Sequence, residues 1–177
     1  MKAAVITASA GILVAVLVFV LNQLGQARTE RRQAKLDRVN SQLRDLYGPL
    51  YALVDVNERI WEALHDAGLP SKRQREHSTE WEPWHTWVDR ALMPANIKMR
   101  DLVLNHADLL LDGELSPAVQ QFCAHVTSYE VLLSTGTSSG GHALIRHPGS
   151  EYVNYVRRSF RRLQTEQSTL LSGARLR

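Results

Sequence analysis

The stretch Leu36 to Leu64, LDRVNSQLRDLYGPLYALVDVNERIWEAL, decides the fold. In it Leu36, Val39, Leu43, Leu46, Leu50, Leu53, Ile60 and Leu64 recur on a seven-residue repeat, with Asn57 in the one polar slot. Such a repeat lays apolar side chains along one stripe of an α-helix, at the a and d positions of a coiled coil, where a lone Asn fixes register. The stripe is narrow and flanked by charge as far as Leu43. From Leu46 onward Tyr47, Val54 and Trp61 widen it into a face suited to a globular bundle. The pattern predicts a stalk that runs into the first helix of a domain. Gly48-Pro49 interrupts it, because proline lacks an N–H donor and pushes the residue before it away from helical geometry.

Upstream, Ala3 to Leu21 is an almost unbroken apolar run without a charge. At about 1.5 Å per residue it makes roughly 28 Å of helix, close to the hydrocarbon thickness of a bilayer. Only Lys2 precedes it, whereas Arg28, Arg31, Arg32, Lys35 and Arg38 follow. The side richer in Lys and Arg stays in the cytoplasm, so the expected placement is the cell membrane, single-pass, N-terminus out and C-terminal domain cytoplasmic. The competing reading is a cleaved export signal ending at Gly25-Gln26-Ala27. The apolar run is longer than an ordinary signal core, and the dense basic segment behind it would resist export. The expected organisation is a transmembrane anchor over 1–25, a basic juxtamembrane heptad stalk over 26–45 and a cytosolic helical bundle over 46–177.

Downstream, Ala67-Gly68-Leu69-Pro70 ends the first helix, and the polar run Ser71 to Glu80 reads as an exposed loop. A short helix is predicted from Trp81 to Leu92. Pro94 then suits the first turn of another, reaching Leu111 and closed by Asp112-Gly113. Ser116-Pro117 caps a helix to Ser134, Gly136 to Gly149 reads as a flexible linker, and Ser150 caps a last helix to Leu171. No stretch alternates as a strand. The class is all-α, with about four to five helices in the bundle behind the anchor and stalk.

The run LDRVNSQLRDLYGPL, Leu36 to Leu50, set directly behind an N-terminal anchor, resembles a segment of small bacterial single-pass membrane proteins of unassigned function. The resemblance covers the anchor and the first cytosolic helix. It implies location and architecture, and it carries over no catalytic residue.

Strong chemical signatures are scarce. Of the 177 residues one is Cys, so Cys123 cannot form an internal disulfide, and a net charge of +3 is too small to imply nucleic acid. Gly136-Thr137-Ser138-Ser139-Gly140 matches G-x-S-x-G, yet an all-α chain has no sheet to hold a nucleophile elbow. Glu62-x-x-His65 and Glu82-x-x-His85 place two ligand types on one helical face, as in ferritin-like di-iron bundles. The pattern is half met, since Pro83 lies inside the second pair and both sit near helix ends; surface histidines are the plain reading, and no cofactor is expected.

Three further groups point to surfaces. Trp81, Trp84 and Trp87 recur every third residue and suit a membrane interface or a partner patch, or else packing against Tyr47 and Trp61. Arg157, Arg158, Arg161 and Arg162 concentrate guanidinium groups on one side of the last helix, fit for anionic headgroups or an acidic partner. Leu36, Val39, Leu43 and Leu46 form a seam that one helix cannot bury alone, which predicts a homo-oligomer or a membrane protein partner. The function expected is that of a scaffold, adaptor or interaction module at the cytoplasmic face, without enzymatic activity. The alternatives are a membrane-anchored di-iron-like enzyme and a sensor or effector with an oligomerising anchor.

Overall fold

The apolar stripe that starts at Leu36 folds as helix, and so does the chain before it. A computed structural model describes the backbone of residues 2–68, 86–134 and 144–175, and the side chains of 17–68, 86–111, 113–134 and 144–172. Helix α1 covers Lys2–Ser41, a π-helical turn covers Gln42–Tyr47, and α2 follows at once over Gly48–Asp66. The backbone is therefore helical across 25–26 and across 45–46. At Gly48-Pro49 the helix widens and continues. Pro49 has no N–H and its ring crowds the preceding turn; the wider turn lets the Gly48 N–H reach the Leu43 carbonyl, five residues back.

Pro94 is accommodated in the same way. Val88–Leu92 form a second π-helical turn, the Met93 N–H bonds to the Val88 carbonyl, and α3 follows over Met93–Asn105. Residues 86 and 87 are already helical, so Pro94 does not open a new helix as its sequence context predicts. Helix α3 also stops at Asn105, short of Leu111, and gives way to 3-10 turns at Ala107–Leu109 and Leu111–Gly113. The cause is tertiary. Side chains of the first helix capture the backbone of this connector: Arg38 donates to the Asp108 carbonyl at 3.3 Å and Gln42 to the Leu109 carbonyl at 2.9 Å.

Helix α4, Pro117–Ser134, starts where Ser116-Pro117 predicts, with the Val119 N–H donating to Ser116 Oγ at 3.4 Å. Helix α5 covers Ser150–Arg175 and carries Glu151 in its first turn. The long first helix packs on α3 and α5, α3 on α4, and α4 on α5. Helix α5 runs antiparallel to the long helix, because Arg157 meets Asp55 near one end and Glu166 meets Lys35 near the other. Among the described residues every regular element is helical, which agrees with the expected class.

Correction comes to the seam. Val39 and Leu46 are 3% and 0% exposed inside the chain's own core, Leu43 packs against the same core, and Leu36 is half-buried. The segment packs on α5, whose Val156 and Leu163 are buried in the same core. Polar contacts fasten the pair: Lys35 to Glu166 at 2.7 Å, Gln167 to Asn40 at 2.7 Å, and Arg32 to the Leu170 carbonyl. A heptad repeat dictates that one face is buried but does not say by which helix. Asn57 likewise finds a partner within the chain, donating to Asn96 of α3 at 2.9 Å.

Among the described residues no helix is long and apolar enough to cross a membrane. The expected anchor, Ala3 to Leu21, lies within α1, and its side chains before Leu17 are outside the described residues.

Candidate functional site

A polar centre that joins three elements forms where the first helix widens. Arg38, Gln42 and Tyr47 are spaced by four and then five residues, and a π-helical turn closes its hydrogen bond over five residues instead of four. The extra residue therefore keeps Tyr47 on the face that already carries Arg38 and Gln42. Tyr47 is fully buried; its Oη accepts the Leu111 N–H at 3.0 Å and lies 3.1 Å from Tyr155 Oη. One hydroxyl thus joins the long helix, the connector and α5. Tyr155 in turn lines an open groove of about 380 Å³ with Ser116, Pro117, Glu151, Asn154 and Arg158. Its lining carries one acid, one base, an amide and hydroxyls.

Tyr47→Phe leaves the Leu111 N–H without its acceptor in a part-buried setting. The expected loss is about 1–3 kcal/mol. Urea unfolding checks the magnitude, and faster amide exchange at Leu111 checks the place.

A histidine pair holds the segment before α5. His125 Nδ1 lies 2.6 Å from the Ile145 carbonyl, and the His147 ring stands edge-on to it with centroids 5.1 Å apart. His147 Nδ1 accepts the Gly149 N–H at 2.9 Å. Burial, followed by the proximity of His125, pushes His147 down to about 4. The unfolded chain binds the proton at about pH 6.5 and the folded chain only near pH 4, so stability is complete above pH 6.5 and falls on acidification through this window. The slope reaches at most about 1.4 kcal/mol per pH unit. Chemical unfolding across this range should lose that slope in His147→Asn.

Burial also pushes the Cys123 thiol up, away from the thiolate form that reacts. Tyr152 is likewise pushed up by burial, and its Oη has no hydrogen-bond partner among the described residues.

The structure separates the remaining candidates. Glu62 is exposed and pairs with Arg59 at 3.1 Å; His65 is exposed near the end of α2. Glu82, His85, Trp81, Trp84 and the Gly136 to Gly140 motif lie outside the described residues. Among the described residues no group of three or more His, Cys, Asp or Glu is placed to hold a metal ion. Trp61 and Trp87 are 41% and 44% exposed.

The arginines divide by role. Arg157 donates twice to Asp55 Oδ1, at 2.8 and 3.1 Å, and this holds the Asp55 carboxyl below its usual range. Arg158 lines the groove, while Arg161 and Arg162 are exposed. Sequence reasoning passed over Gln42 and Tyr47 as binding residues; the available signal was a glutamine and a tyrosine on the flank of an apolar stripe just before Gly-Pro. No family model, curated protein or solved structure matches this chain.

Proposed function

We propose that this chain is a membrane-anchored helical scaffold or adaptor whose bundle presents binding surfaces at the cytoplasmic face. One observation carries the reading. Leu17, Val18, Phe19, Val20, Leu21 and Leu24 are all 44–62% exposed on α1. Consecutive residues point to every side of a helix, so no single packed neighbour covers them; an apolar medium does. The resemblance of Leu36 to Leu50 to single-pass membrane proteins, and the charge asymmetry about the apolar run, support the same placement with the N-terminus out.

The uninterrupted helix then sets the height of each surface. Asp55, which holds Arg157, lies about 45 Å along the helix axis from Leu24. That is several Debye lengths at physiological salt. Arg158 and Arg161 of α5 therefore face an acidic protein partner rather than the bilayer, and Arg158 brings the groove onto that side.

Membrane fractionation tests the anchor. The full chain should stay in the pellet through an alkaline carbonate wash, and a reporter fused after Arg177 should read as cytoplasmic. Release by carbonate, a periplasmic reporter or a mature chain beginning at Arg28 would sink the reading.

A further inference from the structure

We infer that the base of the α1–α5 pair is a contact surface for anionic phospholipid headgroups, centred on Arg28 and Arg31. The inference rests on the anchored reading and adds to it which lipid the protein selects and with which residues.

Height comes first. Along α1, Arg28 lies about 6 Å and Arg31 about 10 Å beyond Leu24, the last of the exposed apolar residues. A headgroup layer is roughly 5–7 Å thick on each side of the hydrocarbon core. Arginine side chains snorkel toward such a layer while their stems lie along apolar surface. The two guanidinium groups thus fall at headgroup level, within about one Debye length of lipid phosphate.

Availability comes second. Arg28 and Arg31 are exposed and have no partner among the described residues, whereas Lys35 is committed to Glu166 and Arg32 to the Leu170 carbonyl. Glu30 is the one acid between Arg28 and Lys35, and Gln26 holds its carboxylate at 3.0 Å.

Helix α5 completes the surface. The contacts at Glu166 and Leu170 seat its last turns beside the start of the basic segment, and the helix continues to Arg175. Leu171, 51% exposed, sits in those turns. The base of the bundle therefore offers positive charge on α1 beside an apolar side chain on α5. Phosphatidylglycerol, whose headgroup carries a net negative charge, matches the two arginines, and phosphatidylcholine, whose choline cancels its phosphate, does not.

The test uses the full chain reconstituted in nanodiscs of equal parts phosphatidylcholine and phosphatidylglycerol, then released, with the retained lipids counted by native mass spectrometry. Phosphatidylglycerol should be enriched. Arg28→Gln with Arg31→Gln should lower the enrichment by about fivefold per residue, and Arg158→Gln with Arg161→Gln should leave it unchanged. Flotation with pure phosphatidylcholine vesicles at high salt separates the two readings. A chain that does not float overturns the anchor and the headgroup surface together. A chain that floats but retains both lipids equally, or loses enrichment through Arg158 and Arg161, overturns the headgroup surface alone.

Discussion

Phe122→Ala is expected to remove about 3–5 kcal/mol, a large share of the roughly 5–15 kcal/mol that holds a domain of this size together. Phe122 is 0% exposed and stacks on Tyr152 with centroids 3.9 Å apart and planes 5° from parallel. The His147 ring closes the edge at 5.6 Å. Truncation leaves a cavity between α4 and α5 and forfeits the stacking, itself worth about 0.5–1.5 kcal/mol. The melting temperature should drop by roughly 6–20 °C, with the urea slope unchanged. A loss below about 1 kcal/mol would mean that the two helices close up around the smaller side chain, contrary to the packing described.

Gly48→Ala should also destabilise, by about 2–3 kcal/mol, against the direction that helix propensity alone gives. Gly48 has ordinary helical angles, φ −66° and ψ −54°. Its need is for space. A β-carbon there would collide with the Leu43 carbonyl oxygen, the same atom that accepts the Gly48 N–H across the wide turn. A backbone carbonyl cannot swing aside as a side chain can, so the turn must be rebuilt and Tyr47 displaced from Leu111. Thermal melting measures the loss. Gly25→Ala is the control, since nothing lies within 4 Å of that position, and it should be neutral or slightly stabilising. Equal behaviour of the two variants would remove the steric argument.

What the sequence made legible were the features fixed within a few residues. The end of α2 at Asp66 follows from Ala67-Gly68, where Gly68 takes φ 83°. The start of α4 follows from Ser116-Pro117, and that of α5 from Ser150-Glu151. The widened stripe at Tyr47 and Val54 is the core face, as its breadth predicts. What escaped depends on partners far along the chain. The stripe from Leu36 specifies burial, but α5, which supplies it, begins more than a hundred residues later. The early end of α3 is imposed by Arg38, Gln42 and Tyr47, and no composition signal at Ala107 to Leu111 announces it. Both proline sites invited a kink or a break because ordinary breaker reasoning compares helix with no helix and omits the wider turn. At the candidate site, the spacing of Arg157 to Arg162 was visible at once, while the pairing of Arg157 with Asp55, across 102 residues, was not.

The continuous helix from Lys2 to Asp66 makes the bundle's azimuth countable. One residue added between Gly25 and Arg28 would lift the bundle by about 1.5 Å and turn it by about 100° about the shaft, with every contact between the bundle's helices intact. Seven residues would lift it by about 10 Å and return it to within about 20° of its first bearing. Length in this segment is thus a phase setting: it decides which way the Arg158 groove looks, and a neighbour at fixed bearing meets that groove only at particular counts.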